Sequence, residues 1–213
     1  DRGREEIRNY HKLVLLGIDA VKGRFVLLGS DASNLVENIE CLWCWNCFVH
    51  DLSRGTTVMV NAGPEGQQFG SDADNCLLSP DGRVAVFESD SVHWIPGDNG
   101  LAQKIALKDL QTGALELISR AQDGGAADGQ SYRPSISADN RYVAFESRAT
   151  NLVERDVNGE PDVFVYDRQT GVTQLVSVPR TGNHGANGSS GLASISADGR
   201  TVAFISRASN LVD

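Results

Sequence analysis

Cys41, Cys44 and Cys47 form a C-x-x-C-x-x-C run, and Cys76 is the one other cysteine among the 213 residues. Thiols at this spacing can close into disulfides or, as thiolates, hold a structural metal. Four thiolates suit zinc, yet the usual zinc pattern pairs two separated C-x-x-C halves, and here the arrangement is three plus one. In an exported chain the expected state is two disulfides, with zinc or free thiols as the alternatives. A c-type haem attachment is excluded, because Trp45 and not His follows Cys44.

A second group is acidic. In D-V-N-G-E-P-D, the residues Asp156, Asn158 and Asp162 set oxygen-bearing side chains at the first, third and seventh places around Gly159. Calcium takes about six to eight hard oxygens from a compact loop, and alternation around a glycine supplies them. The same residues also suit an ordinary Asx and glycine turn between two strands. Pro161 and the lack of a long bidentate Glu at the loop's end count against the metal. A related loop keeps Asp98, Asn99 and Gly100, but has Lys104 where Asp162 stands, and an ammonium there competes with a cation.

Trp43, Trp45, His93 and Trp94 include all three tryptophans of the chain. Indoles in loops suit stacking on sugar rings or anchoring a protein partner, or they plug the loop layer over the core. Of the four histidines, none stands in a nucleophile motif, and the recurrent acids Asp81, Asp139 and Asp198 occupy hairpin turns. No catalytic constellation emerges.

What must position these groups is a repeat. A Gly/Asn-Arg pair followed by alternating apolar residues recurs at Arg24, Arg83, Arg141 and Arg200, in steps of 59, 58 and 59 residues. An aspartate ending an apolar run recurs at Asp51, Asp109 and Asp167, each followed four residues later by Gly55, Gly113 or Gly171. A loop glycine recurs at Gly70, Gly129 and Gly188, and SRATNLV at 147–153 returns as SRASNLV at 206–212 and as DASNLV at 31–36. A fixed period of this length is the mark of a repeat architecture.

Apolar residues alternate within each unit, so the units are made of strands. In the central copy the expected strands are Pro134–Ala138, Arg141–Ser147, Asp162–Asp167 and Val172–Val178. Asp-Asn and Thr-Gly supply the tight hairpins. Four antiparallel strands at this spacing predict an all-β propeller of about three and a half blades. The blades are expected at about 13–60, 75–119 and 134–178, with a partial fourth at 193–213. Residues 1–12 are a charged segment outside the repeat. His50 falls on the strand position held by Tyr166 and is a structural substitution. Closed propellers usually have about four to eight blades, so open edges need cover. The chain is a piece of a longer protein, or its first residues complete a blade, or two chains share a ring. We expect the first.

Asp and Glu outnumber Lys and Arg 28 to 19, for a net charge of -9. That balance argues against a nucleic-acid partner and for cations or neutral ligands. No apolar run is long enough to span a membrane, so no membrane insertion is expected.

The repeated SISADGR-VAF-S-ASNLV followed by D-NG--DVFVYDR-TG-T-LVSV resembles the TolB-like, PD40-type (WD40-like) β-propeller repeat. The likeness is strong at 133–213, good at 75–88 and weak over the first 45 residues. It implies a secreted or periplasmic propeller that binds something, either alone or beside an enzyme domain. It also implies that D-x-N-G-x-x-D loops hold cations. The expectation is therefore a non-catalytic exported platform for a protein or carbohydrate ligand. The alternatives are an accessory or catalytic propeller of an extracellular polysaccharide- or peptide-processing enzyme, and a subunit that self-associates through open blade edges.

Overall fold

A computed structural model describes residues 13–18, 23–37, 39, 41, 44–63, 66, 68, 72–90, 102–154, 156, 158–182 and 184–212. The segment 1–12, Trp43, His93, Trp94 and the Asp98-Asn99-Gly100 loop lie outside them.

Blade one comprises β1 (Leu13–Ile18), β2 (Phe25–Ser30), β3 (Asn46–Asp51) and β4 (Thr56–Met59). Blade two comprises β5 (Ala73–Leu78), β6 (Val84–Ser89), β7 (Lys104–Asp109) and β8 (Leu115–Leu117). Blade three comprises β9 (Ser131–Ile136), β10 (Tyr142–Ser147), β11 (Asp162–Asp167) and β12 (Val172–Leu175). A fourth sheet holds β13 (Ser190–Ile195) and β14 (Val202–Ser206). Every sheet is an antiparallel meander in chain order. The first strands β1, β5, β9 and β13 neighbour one another in turn, so they line the axis of a propeller. Among the described residues no helix is long and apolar enough to cross a membrane.

Alternation puts the core between blades. In β10, Val143 and Phe145 pair with Tyr166 and Phe164 of β11 and face back to blade two, against Val86, Ile105, Leu107 and Ile118. Phe145 stacks on Phe164 with ring centroids 5.8 Å apart. Ala144 and Val163, on the other face, meet Ala193 and Ile195 of the fourth sheet. Leu27, Cys47 and Val49 do the same towards Ala85 and Phe87 of blade two.

Hairpin turns lock neighbouring blades. Gly82 and Gly199 have φ of 69° and 70°, and a Cβ on either would strike the ring of Phe25 or Tyr142 at 2.2 and 2.4 Å. In the blade between them the turn residue is Asn140, also at positive φ (62°), whose amide donates to Asp81 Oδ2 across the blades at 2.6 Å.

The first strands of the second, third and fourth sheets begin earlier than the repeat predicts: β9 starts at Ser131 and not at Pro134. Each contains a bulge, at Asn75, Arg133 and Leu192, where a non-glycine residue takes a φ of 46° to 53°. The extra residue flips the alternation, so the part before it does not read as strand. A buried carboxylate stabilises two of the three: Glu88 accepts the Arg133 backbone N–H at 2.5 Å, and Glu146 accepts that of Leu192. The outermost strand of blade three ends at Leu175, short of the expected Val178, because Ser177 turns inward and accepts the Val163 N–H at 2.9 Å.

Candidate functional site

The connections between second and third strands emerge on one face of the propeller. In blade one this connection carries Cys41 and Cys44, while Cys47 lies in β3 and Cys76 in β5. Cys41 bonds to Cys44 with Cα atoms 5.5 Å apart, and Cys47 bonds to Cys76 with Cα atoms 6.5 Å apart. The second bridge joins β3 to β5 and so ties blade one to blade two. Among the described residues no cysteine is free, so this oxidised state leaves no thiolate for zinc.

Trp45 follows Cys44 and lies on the backbone of β2. A Cβ at Gly29 would meet its ring at 2.7 Å. Gly29 holds the register place that Glu88 and Glu146 hold in the next two blades, so the indole fills space vacated by a carboxylate. Its backbone N–H donates to Asp72 Oδ1 at 2.6 Å, which fixes the cysteine loop to the start of blade two. The indole is half-buried and packs as well as presents.

Asp162 opens β11 and is fully buried. Its place is held by Asn46 in β3 and Lys104 in β7, both also buried. One Asp162 oxygen accepts from the Ser177 hydroxyl and the other from Asn158 Nδ2 at 2.6 Å. Asn158 Nδ2 also donates to the Ala186 carbonyl at 2.6 Å, and Asn158 Oδ1 accepts the Glu160 N–H at 2.8 Å. Asp156 stands beside them, 7% exposed, with its Oδ1 buried and lacking a hydrogen-bond partner. Burial, and then the charge of Asp162, push the Asp156 carboxyl up to about 6. The three predicted residues thus converge, with the Asn158 amide at the point where positive charge is wanted. Among the described residues no three acidic, histidine or cysteine side chains converge to hold a metal. A cation would draw on Asp156, Asp162 and neighbouring carbonyl oxygens, with the Asn158 amide reversed.

His50 Nδ1 bonds to Thr57 Oγ1 at 3.0 Å between β3 and β4, a structural contact. Lys108 takes the same place in β7 and was not foreseen. It is 4% exposed, donates to the Ala62 carbonyl at 2.6 Å, and burial pulls its ammonium down to about 8. The signal was present: a lysine in a slot occupied by His50 and Tyr166 at 58-residue steps.

The fold is similar to that of the tricorn protease, at 14% identity and a TM-score of 0.53 over 90% of this chain and 15% of that one. It is likewise similar to an oligogalacturonate lyase from Vibrio parahaemolyticus, at 14% identity and a TM-score of 0.54 over 92% of this chain and 46% of the lyase. A putative TolB from Agrobacterium tumefaciens matches at 15% identity, with a TM-score of 0.41 over 78% of this chain and 63% of that one. The chain spans less than two thirds of the length of each. No family model and no curated protein sequence matches. Strand order and register define a β-propeller of four-stranded blades.

Proposed function

We propose that the chain is a non-catalytic binding platform of an exported protein, secreted or periplasmic, whose second-to-third-strand loops receive a protein or carbohydrate partner. The observation that carries this reading is the Cys47–Cys76 bridge. A covalent tie between two blades belongs to an oxidising compartment, and it stiffens the loop face beside Trp45. Within that reading the Asp156–Asp162 loop is a calcium site. Its support is the buried, unpartnered Asp156 Oδ1, which a hard cation satisfies.

Native mass spectrometry of the purified chain tests both parts. Two disulfides make the oxidised chain four hydrogens lighter than the reduced one. A calcium adduct should vanish with chelator and in Asp156→Ala. Fully reduced cysteines, or a mass indifferent to calcium and chelator, would refute the corresponding part. Affinity electrophoresis in gels containing polysaccharide reads the platform role, and retardation without product formation supports it.

A second reading takes the chain as the propeller of an enzyme acting on polysaccharide or peptide, following the lyase and the protease to which its fold is similar. Appearance of cleaved product in the same gels would favour it. A third follows from β14, which among the described residues pairs with β13 alone and leaves Ile205 64% exposed. Mass that rises with concentration would favour association through that edge.

A further inference from the structure

The residue after the second strand has the same setting in blade one, blade three and the fourth sheet. Ser30, Ser147 and Ser206 end β2, β10 and β14, and each hydroxyl accepts the N–H two residues on, from Ala32, Ala149 and Ala208. Between serine and alanine stand Asp31, Arg148 and Arg207, and Asp90 follows Ser89 in blade two. The same position is thus acidic in the first two blades and basic in the last two.

The basic half surrounds a cavity of about 340 Å³ between blade three and the fourth sheet. Arg133, Arg148 and Arg207 line it, against a single carboxylate, Glu146. Arg133 spends its NH1 on Glu146 at 3.2 Å. Arg148 Nε donates to the Tyr132 hydroxyl at 3.0 Å, which orients the guanidinium and leaves its two terminal nitrogens for another acceptor. Among the described residues neither Arg148 nor Arg207 has a carboxylate partner. Leu192 and Ile205, 55% and 64% exposed, and the Tyr132 ring supply apolar wall.

Blade two presents the opposite sign on its side of the axis. Asp72, Asp74 and Asp90 are exposed there, and Asp74 faces Glu88 across β5 and β6. A long polyanion laid over this rim would meet those carboxylates, while a small molecule seated in the cavity would not.

We propose that the cavity lined by Arg133, Arg148, Arg207 and Tyr132 binds the carboxylate of a small ligand, whose ring or side chain packs on Tyr132, Leu192 and Ile205. The guanidinium forks of Arg148 and Arg207 match a carboxylate in two parallel hydrogen bonds, a geometry an ammonium could not supply. Of the third-blade loop only Pro161 lines this cavity, so the site does not depend on Asp156, Asn158 or Asp162. A carboxylate of this size comes either from an acidic sugar or from the C-terminus of a short peptide.

Isothermal titration calorimetry on the intact chain tests the site with two matched pairs of probes: glucuronate against glucose, and N-acetyl-alanyl-alanine against its C-terminal amide. The carboxylate member of at least one pair should bind about tenfold or more tighter than its neutral partner, and the tighter pair names the source. The double variant Arg148→Gln, Arg207→Gln should lose that preference with an unchanged melting temperature. Arg148→Lys, which keeps the charge and loses the fork, should weaken binding several-fold. Affinity in wild type should also fall as salt is raised. Carboxylates binding no tighter than their neutral partners, or a preference that survives the double variant, would overturn the proposal.

Discussion

Arg141 and Asp167 meet as a fork on a carboxylate, Nε to Oδ1 at 2.9 Å and NH2 to Oδ2 at 2.7 Å. They are the two most regular markers of the repeat, and the pair recurs as Arg24 with Asp51 and as Arg83 with Asp109. The period therefore repeats a bond, and it does so for a mechanical reason. The arginine stands just before the second strand and the aspartate ends the third, so each pair fixes the β-register of one blade. The arginine fork holds the Asp167 carboxyl well below the usual carboxylate range. In the fourth sheet Arg200 has no such partner among the described residues.

The contrast between Arg141 and Arg200 gives the first prediction. Arg141→Lys keeps the charge but cannot reproduce the two parallel bonds, and should lower stability measurably. Arg200→Lys should cost close to nothing. Urea midpoints at constant slope measure both, and equal losses would contradict the register role of the fork.

Acid should undo these pairs together. The folded-state carboxyls of Asp51, Asp109 and Asp167 lie below the unfolded value of 3.8. Their stabilisation is present above that value and is lost as pH falls through the folded values. Arg141→Lys should flatten the acid limb of a melting-temperature profile below about pH 4, and an unchanged limb would speak against it.

The two disulfides should differ in worth. Chain-entropy reasoning for a 29-residue separation gives about 3.5 kcal/mol for Cys47–Cys76, and about 2 kcal/mol for the 3-residue separation of Cys41–Cys44. The paired variants Cys47→Ala, Cys76→Ala and Cys41→Ser, Cys44→Ser should therefore separate clearly in denaturant midpoint. A smaller shift for the inter-blade pair would mean that blades one and two are held by packing alone.

The blade architecture was legible because its markers are the bonded residues themselves: the Arg–Asp pairs and the Ser-x-Asp hairpins, as in Ser137 donating to Asp139 at 2.5 Å. Where a marker had no chemistry on show, reading failed. The bulges at Asn75, Arg133 and Leu192 hide in ordinary residue types, and only the buried glutamates that hold two of them, Glu88 at Arg133 and Glu146 at Leu192, reveal the device. Spacing placed the cysteines in a common neighbourhood but could not pair them, since pairing depends on how β3 meets β5. The packing of Trp45 on Gly29 was written as a glycine in a glutamate column, visible once the columns are aligned. The basic cavity was likewise written as Arg148 and Arg207 beneath Asp31 and Asp90, a difference that a search for similarity passes over.

Asp156 should make the apo protein sensitive to pH near neutrality. Its folded value of about 6 lies above the unfolded 3.8, so between those values the folded chain binds the extra proton. Stability then falls as pH rises through this window, and the penalty is complete above about 6. Asp156→Asn should raise stability at pH 7 by about 1–2 kcal/mol without metal. Added calcium should stabilise wild type and leave the variant unmoved. A variant no more stable than wild type in chelator would mean that the carboxylate finds a partner in solution.

Lys108 should act in the opposite direction and in a separate window. Burial lowers its ammonium from 10.5 to about 8, so above pH 8 the unfolded chain binds more protons than the folded one. Stability attributable to this residue must rise with pH from about 8 to 10.5, where an ordinary surface lysine contributes nothing. Lys108→Met should remove that rise. It also leaves the Ala62 carbonyl without its donor, at a cost of about 1–3 kcal/mol that does not vary with pH. The slope and the offset therefore separate in denaturation curves recorded at pH 7 to 10. A variant that keeps the wild-type slope would show that Lys108 reaches solvent and stays charged between the blades.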